Sequence, residues 1–206
     1  MKCQISSIIV SCVLLILTTC SAKTDSATGL SFAPRHRQLE VAGVGVRKKG
    51  PIKVYSVAMY ASASLKEKLS ALSSTVDKVK AMATLATAKD DGDVSFLLKM
   101  NMKVGAEKMA SAIADSVAPR YKGDAEDVAK LKGLIFNGVQ AKGAATKGTS
   151  FLFDCNDTGV AVAVDGKAQG SVESAGLSKA FCEVYLDDKG VSPKLKESCI
   201  SGWCLP

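Results

Sequence analysis

Histidine is almost missing from this 206-residue chain, where His36 stands alone. No Cys-x-x-Cys pair occurs either, so the usual ligand patterns of a protein zinc site cannot be assembled. Aromatic residues are few, at 5% of the chain, and lysines fall singly rather than in clusters interleaved with aromatics. A nucleic-acid footprint would cluster. The net charge of +7 therefore reads as solubility with a mild attraction for anionic ligands or surfaces, and not as a nucleic-acid-binding face. Long apolar runs are confined to the N-terminus. There Ile8 to Leu17 falls short of the about 20 residues a membrane-spanning helix needs, and no stable membrane insertion is expected elsewhere. There is no internal repeat.

That N-terminal segment has the parts of a secretory signal peptide: Met1-Lys2, a short apolar run, and small residues ending at Ala22. Cleavage is expected after Ala22, which assigns 1–22 to the signal peptide and removes Cys3, Cys12 and Cys20. Cys155, Cys182, Cys199 and Cys204 remain. In an oxidising lumen they allow two disulfides in three possible pairings, and Cys199 and Cys204 are close enough in sequence to close a small loop. Cys182, on an apolar helical face, is expected to be buried rather than reactive. Asn156-Asp157-Thr158 fits the N-glycosylation pattern. Residues 23–38 show no hydrophobic period and are expected to be a mobile leader. Within it, Ser31-Phe32-Ala33-Pro34 is faintly similar to the cleavage motif of bipartite plastid-targeting leaders of algae, a second possible route.

From residue 39 to 206 the pattern is that of one α+β domain, long enough to bury a core without metal or disulfide support. Leu39–Val46 and Ile52–Ala61 alternate as a hairpin around Lys-Lys-Gly-Pro. Ser64–Lys89, rich in Ala, Leu and Lys, predicts one or two helices, and Val94–Met102 a strand. Helices follow over Gly105–Val117 and Asp124–Val139, the second capped by Asp124. Three strands, Thr149–Asp154, Gly159–Val164 and Lys167–Val172, come next, the last two joined by Asp165-Gly166. Two helices close the chain, the second with Ser192 as cap and Pro193 in its first turn.

The first hairpin carries the residues of interest. Arg47 sits where its first strand ends. In the second strand Lys53, Tyr55, Val57 and Met59 share one face, opposite Val54, Ser56, Ala58 and Tyr60. A guanidinium near a phenol offers a fork of donors plus one hydroxyl, suited to a carboxylate or a phenolate.

Gly43-Val-Gly-Val-Arg47, Ile52-Lys-Val-Tyr-Ser-Val-Ala-Met-Tyr60, the segment Phe96–Val117, and the run from Gly170 to the Val-Ser-Pro193 of the last helix together resemble the chalcone isomerase-like family. That family includes plant chalcone-flavanone isomerases and fatty-acid-binding relatives. The resemblance implies a curved, open antiparallel sheet packed against a layer of helices, with the ligand in the cleft between and no cofactor. The isomerases surround that cleft with an arginine, a threonine, a tyrosine and an asparagine. Arg47 matches the arginine, but Tyr55, Met109 and Ser116 stand at the other three positions. A thioether donates no hydrogen bond and serine is short, so the constellation that holds a near-attack geometry is broken.

Pairing the arginine with a tyrosine instead resembles the fatty-acid-binding members. That implies a non-catalytic binder of fatty acids or related carboxylates, with Arg47 and Tyr55 holding the carboxylate head and Ser116 also among the ligand-binding residues. Met59, Met100, Met109 and Ile113 would then line an apolar sleeve. A weak intramolecular lyase of the chalcone isomerase type is the alternative, and a dimeric scaffold with an empty cleft a third. The sequence leaves the oligomeric state open.

Overall fold

A computed structural model describes residues 21–206; the apolar run at 8–17, and with it most of the expected signal peptide, lies outside them. The described chain is α+β, with six helices against one curled antiparallel sheet. Its short N-terminal strands are β1 (Lys23–Thr24), β2 (Ser31–Phe32) and β3 (Arg35–His36), followed by the hairpin β4 (Leu39–Lys49) and β5 (Ile52–Ala61). Helices α1 (Ala63–Ser70) and α2 (Lys78–Ala86) lead to β6 (Val94–Met100) and β7 (Val104–Gly105). Next come α3 (Ala106–Val117), α4 (Ala125–Gln140), β8 (Ala144–Ala145) and the meander β9 (Ser150–Cys155), β10 (Val160–Val164) and β11 (Lys167–Val172). Helices α5 (Ala175–Leu186) and α6 (Pro193–Trp203) end it. The main sheet runs β11-β10-β9-β6-β5-β4-β3, every pair antiparallel.

The two faces predicted for β5 are the two faces of the sheet. Tyr55, Val57 and Met59 enter the main core, where Phe96 and Phe153 pack against Phe181 and Tyr185 of α5. Ala58 and Tyr60 point the other way. Asp165 and Gly166, at φ of +48° and +76°, make the tight turn that their sequence predicts. Asp124 accepts from the Glu126 amide as the expected cap of α4. Ser192 does not cap α6 with its side chain; its hydroxyl donates to the Val46 carbonyl, 3.1 Å away, and so ties the helix to β4.

The glycines of the Gly-Val-Gly-Val run make that approach possible. A Cβ on Gly43 would lie 2.5 Å from the Cys199 backbone nitrogen, and one on Gly45 the same distance from that of Leu195. Only a residue without a side chain lets helix backbone come this close to a strand.

The expectation of a mobile leader over 23–38 is corrected by the structure. These residues form a strap across the outer sheet face. Phe32, 1% exposed, packs with Val41, Val44, Ala58 and Tyr60. Polar contacts hold the rest: Asp25 accepts from Thr28 at 2.6 Å and from Ser56 at 2.7 Å, Tyr60 donates to the Ala33 carbonyl, and Lys99 to that of Ser31. At the strap's end Asp154 meets His36 at 2.9 Å, Arg37 at 3.1 Å and Ser95 at 2.6 Å. A segment fixed by one aromatic anchor and many hydrogen bonds shows no hydrophobic period, which is why its sequence reads as loose.

All four cysteines of the described chain are free thiols, and none of the disulfides that their number allows is formed. Cys182 is buried as expected. Cys199 sits with its sulfur 3.8 Å from that of Met59, and burial pushes its thiol up to about 12.

Candidate ligand-binding cleft

Antiparallel register brings Arg47 opposite Tyr55 and Tyr55 opposite Met100, so the three share a row on the helix-side face. A register shift just after Arg47, where Lys48 pairs with Lys53, bulges the hairpin at this point. Above it lies α3. Its middle turns present Met109, Ala112 and Ile113 to the sheet end, and the residues after β6 complete the wall with Met102 and Val104. Between them opens a cleft of about 440 Å³, within the range of small-ligand sites.

At its inner wall Tyr55 is 4% exposed, its hydroxyl 3.1 Å from that of Tyr185. Tyr185 is held in turn by stacking on Phe96, with ring centres 4.6 Å apart and planes at 22°. Burial pushes the Tyr55 phenol above its ordinary value, opposed by the Arg47 charge and by the bond to Tyr185. Tyr185 is pushed up further, by burial and then by Tyr55 itself. Both are neutral donors over the physiological range. In a tyrosine pair one hydroxyl donates to the other, and the acceptor keeps its own proton for a third group. Arg47, half-buried, has no carboxylate partner among the described residues. A guanidinium and a neutral phenol beside an apolar cavity are chemically suited to an anion with an apolar tail.

Arg47, Tyr55, Met109 and Ile113 are thus brought to one cleft. Ser116 is not. It lies further along α3, outside the cleft lining, and its hydroxyl turns back to the Ala112 carbonyl at 2.7 Å, the local bond helical serines commonly make. Met59 and Met100 also leave the expected sleeve, since both are wholly buried core residues outside the lining. Sequence reasoning missed Met102 and Tyr185. Met102 follows the strand on which Met100 sits and carried no separate signal; Tyr185 lies 130 residues from Tyr55, and only the packing of α5 brings the two together. Among the described residues no group of three or more His, Cys, Asp or Glu is placed to hold a metal.

The fold and cleft define a class of protein: a curled antiparallel sheet with an open cleft between it and a layer of helices. The sequence model of the chalcone isomerase-like family matches residues 27–200. The chain belongs to that family, and the match takes in most of the strap. Among solved structures, a fatty-acid binding protein of Arabidopsis thaliana superposes with a TM-score of 0.70 at 20% identity, over 87% of this chain and 96% of that one. At this identity the likeness is one of fold. Comparison with curated protein sequences gives no match.

Proposed function

We propose that this protein binds fatty acids or related small carboxylates without transforming them, the carboxylate held by Arg47 and Tyr55 and the chain lying against Met102, Met109 and Ile113. The observation that carries this reading is the half-buried guanidinium without a carboxylate partner, set beside a phenol hydrogen-bonded to Tyr185, at the wall of an apolar cleft. The fold likeness to a fatty-acid binding protein supports it. Methionine suits a site that must adapt to varied chain shapes.

A charge-assisted contact of this kind contributes about 1.5–3 kcal/mol. Arg47→Ala should therefore weaken palmitate binding roughly ten- to a hundredfold in titration calorimetry. Equal affinities in the two proteins would refute the clamp.

The lyase reading has less to stand on. Ring closure needs several placed polar anchors; Met109 offers none, and the Ser116 hydroxyl is spent on its own helix. Purified protein should accordingly convert chalcones no faster than they cyclise in buffer, and stereoselective flavanone formation lost in Arg47→Ala would overturn this.

A further inference from the structure

The rim of the cleft carries more positive charge than one carboxylate needs. Besides Arg47, its lining includes Lys48 and Lys49 at the end of β4, Lys103 in the segment after β6 and Lys108 in the first turn of α3; no aspartate or glutamate lines it. These four lysines are exposed, and none has a carboxylate partner among the described residues. Elsewhere some lysines are paired, as in Lys66 with Glu40, Lys89 with Asp157 and Lys142 with Asp165, and others, such as Lys80, Lys167 and Lys179, stand exposed away from the mouth of this cleft. Glu107, the neighbour of Lys108, is engaged by Lys132 at 2.6 Å.

Within this basic collar stands Ile52. It follows the Gly50-Pro51 turn, pairs with Lys49 and is 48% exposed. One exposed isoleucine is ordinary. One at the tip of a hairpin, inside a ring of uncompensated lysines and at the mouth of an apolar cleft, is the arrangement of a residue that enters a lipid headgroup layer while cations rest on phosphates.

We propose that this rim, Lys48, Lys49, Ile52, Lys103 and Lys108, docks the protein on an anionic lipid surface with the mouth of the cleft turned toward it. An acidic protein would satisfy the charge, but the isoleucine at the tip fits a hydrocarbon boundary better than a charged protein face. The link to acyl-chain uptake rests on the binding function proposed above; the docking itself does not, and the two can fail separately.

The test is flotation of the full chain, without added fatty acid, on vesicles of phosphatidylcholine alone and of phosphatidylcholine with about one-third phosphatidylserine. The neutral vesicles measure any charge-independent association, including that of the apolar run at 8–17. Binding is expected to rise at least about tenfold with the anionic lipid and to fall as salt is raised. The triple variant Lys48→Glu, Lys49→Glu, Lys103→Glu should lose that gain. Ile52→Ser, which leaves the charge unchanged, should lose several-fold. Reversing three exposed lysines outside the rim, Lys80, Lys167 and Lys179, should cost far less. All the substituted residues are exposed, and an unchanged thermal midpoint confirms folding. Equal binding to both vesicles, retained binding by the triple variant, an equal loss from the remote reversal, or no effect of Ile52→Ser would each overturn the proposal. Palmitate affinity in vesicle-free solution reports separately on the cleft.

Discussion

Tyr185 shows how one residue can matter to a site through its neighbour. It is 1% exposed, stacked on Phe96, and its hydroxyl meets only that of Tyr55 among the hydrogen bonds described. Removing the Tyr55 hydroxyl deletes a neutral donor and leaves the Tyr185 hydroxyl buried without that partner. Tyr55→Phe should therefore weaken palmitate binding about two- to tenfold, less than Arg47→Ala, and also lower the thermal midpoint. Calorimetry and thermal unfolding on the same preparation check both. Ser116→Ala should leave the affinity unchanged, because its hydroxyl bonds within α3 and does not reach the cleft. Arg47 and Tyr55 were legible as a pair from hairpin register alone, whereas Ser116 was placed by motif position, which says nothing of where a hydroxyl turns.

At the scale of elements, the joint between α6 and β4 decides how tightly the sheet is closed on its helical side. Gly45→Ala would put a Cβ 2.5 Å from the Leu195 nitrogen and 2.8 Å from its Cα, both backbone atoms of α6. Overpacking of this kind costs about 1–3 kcal/mol, so denaturant unfolding should show a loss in that range. Gly133 in α4 is the control, since nothing lies within 4 Å of an added Cβ there. Gly133→Ala should be neutral or stabilising by up to about 1 kcal/mol, as alanine favours helix. Equal losses in the two variants would mean that the close approach is not what the Gly-Val-Gly-Val run is for.

For the molecule as a whole, the chain has four tyrosines and all are shifted upward. Burial does this at Tyr55, Tyr185 and Tyr60, the last to about 12, and a hydrogen bond to the Asp127 carboxylate does it at Tyr121. A group whose pKa is raised by folding adds stability that is fully present below its unfolded value, near 10 for tyrosine, and is lost as pH climbs through the folded value. The native protein should thus show little phenolate absorbance at pH 10, with stability falling from there toward pH 12. A native titration with its midpoint at 10 would contradict the burial described.

Maturation through the secretory pathway is proposed, with a start at Lys23 in N-terminal sequencing of protein from its own cells. A start near Phe32 would favour the plastid route and would strip away Asp25 and Thr28, which hold Ser56 from the strap.

Alternation and helical spacing were sufficient for the β4–β5 hairpin, for α3 and α4 and for the closing helices, because each buries one continuous face and a period in the chain reports it directly. The α+β class and the pairing of Arg47 with Tyr55 follow from the same local rules. Sequence spacing does not determine which distant surfaces meet. That Tyr185 meets Tyr55 while Ser116 turns back onto its own helix, that Met59 and Met100 belong to the core while Met102 lines the cleft, and that residues 23–38 form a strap all depend on contacts between segments far apart in the chain. Those contacts exist only once the curled sheet has brought α3, α5 and the strap onto its two faces.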